Sequence, residues 1–221
     1  MYYKISSSCS PLNAIKMKIG IIGGTNLAKA LGKKYLNVGI DVVFGVHEEF
    51  DTNQPEWRVL NKFYDKLCPY SSAIDQSEIV LICSENENLP GVFEALKKSD
   101  LNQKLIVDCT NSRFEDQLHN ENTEMLQEIC KGNPVFKAFN NLGLEYPTTD
   151  KLGVIKETYY CGDPIPQKIR VKRLIEVIGF KAIDAGKIEN ATLLEAFYHL
   201  RKEIAIHLKQ ESNCHFKLIS V

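Results

Sequence analysis

The first candidate site in this sequence is a run of small residues, Gly23-Gly24-Thr25-Asn26-Leu27-Ala28, placed directly after an apolar segment. It partly matches the pattern G-x-G-x-x-G/A, in which a tight glycine turn between a strand and a helix binds the pyrophosphate of a dinucleotide. Gly23 fits the first position and Ala28 the third, but Thr25 replaces the glycine that lets the backbone approach the phosphates. A threonine can still hydrogen-bond a phosphate, and a helix N-terminus attracts anions. The run predicts a dinucleotide site with a weakened fingerprint; the alternative is a tight turn without a ligand.

The residues at the end of the second predicted strand should contact the adenosine ribose of such a cofactor. An acidic residue there would hold the hydroxyls of NAD, whereas an arginine would favour NADP. Here the segment is Gly45-Val46-His47-Glu48-Glu49. His47 can contact a 2′-phosphate, though weakly unless it is protonated, and the two glutamates would repel that phosphate. The sequence therefore leaves the choice between NADP and NAD open.

Three polar clusters follow other predicted strands: Cys83-Ser84, Asp108-Cys109-Thr110-Asn111, and Lys137-Ala138-Phe139-Asn140-Asn141. The carboxyl ends of parallel strands line one crevice, so these residues should meet at one edge of the sheet. Small and amide side chains there can approach a nicotinamide ring and hydrogen-bond its carboxamide. Each cluster taken singly could equally be an ordinary strand-end turn.

No compact acid–base motif is present, and we predict no catalytic acid or base. Lys137 is the nearest candidate, but we expect it to face solvent or a carboxylate. Asp108 is expected to bond backbone amides at a strand end rather than act as a base. Hydride transfer between stacked rings needs proximity more than a proton donor, which suits reduction of a flavin better than reduction of a ketone or imine.

We also predict no metal site. His199, His207 and His215 recur every eight residues, a spacing that on a helix separates them by about 12 Å along the axis. The seven cysteines are scattered without a CxxC pair, and several lie in apolar runs, which predicts reduced thiols and a cytoplasmic protein.

The elements that must position these residues alternate between strand and helix. Near-continuous apolar runs predict strands at 18–22, 42–44, 79–83, 105–108, 135–139, 158–161 and 180–183. Helical periodicity predicts helices at 26–38, 88–98, 120–130, 166–178 and 191–210. Asn26 is the expected cap of the first helix, and Met125, Leu126 and Ile129 are the expected inner face of the third. The last helix carries an apolar stripe of Leu193, Phe197, Leu200, Ile204 and Leu208. The fold class predicted is α/β, of the Rossmann type: a doubly wound, mostly parallel sheet with helices on both faces.

Composition limits the function classes. The chain has 27 basic and 28 acidic residues, a net charge of −1, which argues against nucleic acid or a polybasic membrane surface as partner. No apolar run is long enough to span a membrane. We interpret residues 1–16 as an N-terminal extension without the features of a secretory signal, and residues 17–221 as one dinucleotide-binding domain. The C-terminal stripe either covers the sheet or completes a homodimer.

The ordered set of motifs Lys18-Ile-Gly-Ile-Ile-Gly-Gly-Thr25, Val42-Val-Phe-Gly45, Val107-Asp-Cys-Thr-Asn111, Lys137-Ala-Phe-Asn140 and Asp184-Ala-Gly186 resembles one family. It is that of the NADP oxidoreductases that use the 5-deazaflavin coenzyme F420. The reductase domain of the STEAP metalloreductases and many bacterial dinucleotide-binding proteins are similar. The resemblance runs from Met17 nearly to the end, and the Lys-Ala-Phe-Asn stretch is its most specific part.

The resemblance implies an NADPH-binding oxidoreductase that passes hydride to a flavin or 5-deazaflavin. It implies that Gly23, Thr25, Asn26 and Leu27 hold the pyrophosphate, that Val46 and His47 flank the adenosine ribose, and that Cys83, Asn111, Phe139 and Asn140 lie near the nicotinamide. The family often has Ser-Arg where this chain has Val46-His47. Two alternatives stay open: a dinucleotide-binding sensor or partner subunit without turnover, and a hydroxyacid or imine reductase, for which the chain looks too short.

Overall fold

The computed structural model describes residues 17–48, 55–113, 121–208 and 214–219. Within them, eight strands form one sheet: β1 (Lys18–Ile22), β2 (Asp41–Val46), β3 (Leu67–Pro69), β4 (Ile79–Ile82), β5 (Leu105–Asp108), β6 (Val135–Ala138), β7 (Glu157–Gly162) and β8 (Lys181–Asp184). The helices are α1 (Asn26–Asn37), α2 (Pro55–Leu60), α3 (Tyr70–Asp75), α4 (Leu89–Lys98), α5 (Glu121–Ile129), α6 (Ile165–Glu176) and α7 (Ala191–His207).

The strand order is β3-β2-β1-β4-β5-β6-β7-β8. All neighbouring strands are parallel except β6 and β7, which pair antiparallel. The order reverses between β1 and β4, which lie side by side with Ile22 opposite Ile82. Ligands of open α/β sheets bind in the crevice beyond the carboxyl ends of the strands at such a reversal. The fold class predicted from the sequence is confirmed.

Burial explains why the central strands form. Every residue of β4 and β5 is buried, as expected for strands covered by helices on both faces. One apolar cluster packs β1 against α1 and α6, and a second packs the other face against α3 and α4. No helix within the described residues is long and apolar enough to cross a bilayer.

Several local expectations were wrong. Thr25, not Asn26, caps α1, because its hydroxyl accepts the backbone N–H of Ala28. Met125 on α5 is 41% exposed rather than inward. The strand β3 and the short helices α2 and α3 were not predicted at all. Residues 1–16, interpreted above as an extension, lie outside the described residues.

Of the two alternatives for the apolar stripe of α7, the structure does not support the one in which the stripe covers the sheet. Leu193, Leu200 and Leu208 are exposed. The buried side of the helix is the neighbouring face, made of Ala191, Leu194, Glu195, Tyr198, Arg201 and Ala205. An apolar face of α7 is therefore left open among the described residues.

Candidate active site at the carboxyl edge of the sheet

Gly23 opens the turn after β1 in a conformation that needs glycine. Its φ is +117°, and a Cβ would lie 2.6 Å from the carbonyl oxygen of Cys83 and 2.7 Å from the Cα of Ser84. Its N–H donates to the carbonyl of Gly45 at 2.9 Å. The turn thus lies against the end of β4 and is hydrogen-bonded to the end of β2. It lies at the reversal of strand order, the place where open α/β sheets bind their ligands.

The residues that follow are already hydrogen-bonded within the chain. The Thr25 hydroxyl donates to the carbonyl of Cys83 at 2.8 Å while it caps α1. The N–H of Leu27 donates to the carbonyl of Leu144 at 2.9 Å. The threonine donor expected to contact a phosphate is therefore engaged by β4, and one helix-terminal N–H is engaged by the loop after β6.

A small pocket of about 170 Å³ lies over this turn. Gly24, Thr25 and Asn26 of the fingerprint line it. Among the described residues, the facing ones include Glu85 and Glu145 but no lysine or arginine. The described part of the pocket therefore offers backbone and amide groups, and no cation, to an anion.

The end of β2 borders a second pocket, of about 240 Å³. Val46 is buried, and His47 lies edge-on to the ring of Tyr70 with the ring centroids 6.2 Å apart. The lining includes His47, Glu48 and Lys98, while Glu49 lies outside the described residues. Sequence reasoning missed Lys98, because it comes from the end of α4 and only the three-dimensional fold brings it beside β2.

The ends of β4, β5 and β6 meet at the same edge, as predicted. Asn111 and Asn140 exchange two hydrogen bonds, each 3.0 Å long: the Asn111 amide donates to the Asn140 backbone carbonyl, and the Asn140 amide donates to Asn111 Oδ1. The Asn140 amide also donates to the carbonyl of Leu194 on α7. Asn140 Oδ1 and the hydroxyl of Ser84 are buried and have no hydrogen-bond partner among the described residues.

Two of the predicted residues serve the core instead. Cys83 is fully buried in the main apolar cluster, and its contribution to the edge is its backbone carbonyl. Phe139 has a left-handed φ of +64° and its buried ring packs edge-on against Phe180, with centroids 6.3 Å apart. The Phe139 backbone thus turns the chain so that Asn140 reaches the edge.

A buried charge cluster lies behind these amides. Lys137 Nζ is 2.7 Å from Asp108 Oδ2 and 2.7 Å from Glu195 Oε1, and the Lys137 side chain is fully buried. We expected Lys137 to face solvent or a carboxylate, and it faces two carboxylates. Asp108 accepts the backbone N–H of Thr110, as expected for an aspartate at a strand end. It also binds the side chains of Thr110, Thr123 and Lys137, which the sequence did not predict.

Sequence reasoning missed Glu195. Its Oε2 accepts the backbone N–H of Ser112 at 2.9 Å, which joins α7 to the loop after β5. The available signal was a glutamate one position after Leu194 on a helix otherwise rich in apolar residues. Reading that glutamate as buried requires knowing that the adjacent face of α7, and not the leucine stripe, packs inward.

The cluster holds two acids and one base away from water. Burial raises the pKa of Glu195, and the nearby Lys137 ammonium only partly opposes this. Burial alone would lower the pKa of Lys137, but Asp108 and Glu195 outweigh it and raise that pKa, so the lysine stays charged. The cluster therefore carries an extra negative charge or holds an extra proton.

A cavity of about 520 Å³ lies between α7 and the loops after β4 and β5. Asn111, Ser112 and His199 are among its lining residues, and His199 Nε2 lies 3.1 Å from the Ser112 carbonyl oxygen. Burial lowers the pKa of His199. The cavity shares Glu85, Leu144 and Glu145 with the pocket over the glycine turn, so the two are adjacent. No group of three potential metal ligands occurs in the parts of the chain described.

Comparison with known families bears on this edge. Residues 18–112 match the family of NADP oxidoreductases that are coenzyme F420-dependent. The match runs from β1 through the end of β5 and so includes the glycine turn, the β2 end, Ser84 and Asn111. The resemblance inferred from the sequence motifs is confirmed over this region.

Two curated relatives have the same resemblance at low identity. The metalloreductase STEAP3 of Rattus norvegicus is 23% identical over 181 residues, which cover 81% of this chain and 36% of that protein. The metalloreductase STEAP2 of Homo sapiens is 21% identical over 186 residues, covering 83% and 36%. The chain thus spans about a third of the length of these relatives.

Solved structures share the fold. A provisionally assigned F420-dependent NADP-reductase from Arthrobacter sp. FB24 superposes with a TM-score of 0.76 at 18% identity, over 92% of this chain and all of that one. A reductive aminase from Aspergillus terreus, solved in complex with NADPH, has a TM-score of 0.62 at 14% identity, covering 88% and 63%. An imine reductase of Streptomyces aurantiacus reaches 0.60 at 18% identity, covering 87% and 64%.

Proposed function

We propose that this chain binds a reduced nicotinamide dinucleotide along the carboxyl edge of its sheet and transfers hydride to a flavin or 5-deazaflavin. The observation that carries the proposal is the pair of unpartnered buried polar atoms, the Ser84 hydroxyl and Asn140 Oδ1. Buried polar groups are almost always hydrogen-bonded, so two such atoms at the edge where this fold binds its ligands favour a polar ligand there.

These residues fit a nicotinamide. Its carboxamide offers an N–H donor and a carbonyl acceptor, which complement Asn140 Oδ1 and the Ser84 hydroxyl. Asn111 would orient Asn140 through their paired hydrogen bonds. When bound, the reduced nicotinamide supplies the hydride; the protein positions its ring and excludes water.

The other parts of a dinucleotide have places along the same edge. The glycine turn would hold the pyrophosphate by its backbone at Gly24, Thr25 and Asn26, since the N–H groups of Gly23 and Leu27 already donate to carbonyls of the chain. Val46 and His47 would border the adenosine ribose, with Lys98 available to a 2′-phosphate. Lys98 supports NADP, whereas Glu48 supports NAD; the family match supports NADP.

The 520 Å³ cavity is the proposed place for the acceptor, since it touches both Asn111 and the pocket over the turn. No acid or base in it is required by this reaction, because ring proximity and orientation supply much of the acceleration. The cavity wall formed by α7 would close one side of the acceptor.

The test is a pair of titrations that follow nicotinamide fluorescence with NADPH and with NADH. Ser84→Ala should weaken binding by about 2- to 12-fold, the range for losing one hydrogen bond. Ser99→Ala is the matched control, since the Ser99 hydroxyl is also buried and has no partner in the described part of the chain, but it lies at the end of α4. Binding of neither dinucleotide, or equal effects of both variants, would contradict the proposal.

Turnover is tested separately, by adding FMN, FAD or F420 to the protein with bound NADPH and following absorbance at 340 nm. Oxidation that depends on the acceptor supports the reductase. If NADPH binds but is never oxidised, the second candidate applies: a dinucleotide-binding sensor or partner subunit. That candidate is favoured by the hydrogen bonds that the Thr25 hydroxyl and the Leu27 N–H already make within the chain, because they leave fewer donors for a phosphate.

A further inference from the structure

The buried charge cluster of Lys137, Asp108 and Glu195 plays no part in the hydride transfer proposed above. Its two carboxyl groups share one ammonium, since Asp108 Oδ2 and Glu195 Oε1 each lie 2.7 Å from Lys137 Nζ. Each of these side chains is at most 2% exposed. A net charge held away from water is costly, and one added proton on a carboxyl group makes the cluster neutral. The cluster is therefore suited to storing one proton.

Glu195 is the carboxyl group suited to hold this proton. Asp108 accepts the N–H and the hydroxyl of Thr110. It also accepts hydrogen bonds from the Thr123 hydroxyl and the Lys137 ammonium, and all these donors stabilise its ionised form. Burial raises the pKa of Glu195, the Lys137 ammonium partly opposes this, and the charge of Asp108 adds to the rise.

The hydroxyl of Ser112 links Glu195 to the 520 Å³ cavity proposed for the acceptor. Ser112 Oγ lies 3.3 Å from Glu195 Oε1 and accepts the backbone N–H of Asn122 at 3.2 Å. Ser112 is also among the residues that line the cavity. A hydroxyl has two acceptor positions and one donor proton. When Glu195 is protonated, Ser112 can accept from both Asn122 and Glu195 and donate its own proton into the cavity.

Reduction of the proposed acceptor takes up one proton. Hydride addition to the central ring of a flavin or 5-deazaflavin leaves an anion with its charge on the pyrimidine ring, and protonation of that anion gives the neutral product. Asn111, which would orient Asn140 against the nicotinamide, precedes Ser112 directly and lines the same cavity. The Ser112 hydroxyl is therefore available where the two rings would meet. Ring proximity serves the hydride step, and a proton donor at this place serves the step that completes the product.

We propose that Glu195 stores a proton and delivers it through the Ser112 hydroxyl to the reduced acceptor, an inference that rests on the proposed function. The O–H bond of the Glu195 carboxyl breaks as its proton passes to Ser112 Oγ, and the Ser112 O–H bond breaks as its proton passes to the pyrimidine ring. The hydride and its electron pair come from NADPH. One NADPH, one acceptor and one proton thus give NADP⁺ and the reduced acceptor. Glu195 is left as a carboxylate beside Lys137 and regains a proton from solvent when the product leaves.

The test is a single turnover of bound NADPH with F420, and with FMN, followed by absorbance from pH 5 to pH 9. The wild-type rate should fall as the pH rises through the raised pKa of Glu195, because the donor then loses its proton. Glu195→Gln holds no transferable proton, so it should react about 100-fold more slowly or less below that pKa and should lose this pH dependence. Glu157→Gln is the matched control, since Glu157 also pairs with a lysine and accepts a backbone N–H, but lies on β7.

The Ser112 hydroxyl is tested with a second pair of variants. Ser112→Ala keeps the backbone N–H that Glu195 accepts, so it should bind NADPH normally and yet react about as slowly as Glu195→Gln. Ser112→Thr retains a hydroxyl and should recover most of the rate. Ser77→Ala is the control for loss of a buried hydroxyl, because Ser77 donates to the Ala73 carbonyl at the start of β4. A wild-type rate in Ser112→Ala would overturn the proposed path.

Infrared spectroscopy of the protein without ligands gives a readout that does not depend on turnover. At pH 7 the wild type should show the carbonyl stretch of a buried protonated carboxyl group, and Glu195→Gln should lack it. Absence of this band from the wild type would overturn the inference. So would pH dependence that survives in Glu195→Gln but disappears in His199→Gln, since His199 Nε2 lies 3.1 Å from the Ser112 carbonyl oxygen and the histidine would then be the donor.

The two readouts separate this inference from the proposed function. If the infrared band is present but neither F420 nor FMN oxidises bound NADPH, the proposed function fails and proton delivery fails with it. If the wild type turns over and Glu195→Gln does so with the same rate and pH profile, the proposed function stands and proton delivery alone is overturned.

Discussion

Lys137 Nζ lies 2.7 Å from Glu195 Oε1, with both side chains almost fully buried, and this contact ties the central strand β6 to the C-terminal helix α7. Asp108 on β5 completes the cluster at 2.7 Å on the same ammonium. Because Glu195 also accepts the Ser112 N–H, the position of the edge loop after β5 depends on a charge buried in the interior.

Replacing the shared cation should be costly. Lys137→Met leaves Asp108 and Glu195 buried without their common partner, so the free energy of unfolding should fall by about 3–5 kcal/mol. Urea denaturation at pH 7 measures this loss. Lys104→Met is the matched control, because Lys104 is also nearly buried but donates to two backbone carbonyls, those of Asp75 and Ser77. Its loss should be about 1–3 kcal/mol. Equal losses would contradict the importance assigned to the carboxylate pair.

The buried carboxyl of Glu195 should make the free energy of unfolding depend on pH. Burial raises its pKa above the ordinary 4.5, so the native state holds this proton more tightly than the unfolded chain does. The resulting stability is fully present below pH 4.5 and is lost as the pH rises through the raised pKa. Glu195→Gln removes the titration, so the stability of the wild type relative to this variant should fall with rising pH. Urea denaturation of both proteins from pH 4 to pH 8 measures it; a flat or rising difference would contradict the assignment.

The sequence was sufficient to predict the sheet and the edge where its polar strand ends meet, because buried parallel strands read as apolar runs and polar residues follow their carboxyl ends. It was insufficient for β3, which has only three residues and ends in Pro69. It could not show that β7 runs antiparallel to β6, since apolar runs carry no direction. The sequence could not show which face of α7 packs inward, because Glu195 and Arg201 lie on the buried face, whereas the exposed stripe is wholly apolar. Ion-pair partners far apart in the chain, such as Lys137 and Glu195, become visible only in the fold.

Gly23 should tolerate no side chain. In Gly23→Ala the methyl group would lie 2.6 Å from the Cys83 carbonyl oxygen at a φ of +117°, so backbone strain adds to a clash with the backbone of β4. We expect a loss of roughly 2–4 kcal/mol in unfolding free energy. The control is Gly39→Ala, which has a φ of +80° but nothing within 4 Å of the added carbon. It should cost only about 1–2 kcal/mol. The measurement is the thermal unfolding of both variants. Gly23→Ala combines a steric clash with backbone strain, whereas Gly39→Ala has backbone strain alone.

Replacing Thr25 by glycine should lower the stability of the protein and raise its affinity for NADPH. Thr25→Gly removes both the cap on α1 and the hydrogen bond to Cys83, with an expected loss of about 1 kcal/mol in unfolding free energy. It also restores the glycine that lets the backbone approach a pyrophosphate, so NADPH should bind several-fold more tightly. Thr25→Ser keeps the hydroxyl and should change neither property. The measurements are urea denaturation and fluorescence titration on the same preparations. If Thr25→Gly instead bound NADPH more weakly than the wild type, the threonine hydroxyl would be a phosphate ligand. Its hydrogen bond to the Cys83 carbonyl would then have to break when NADPH binds.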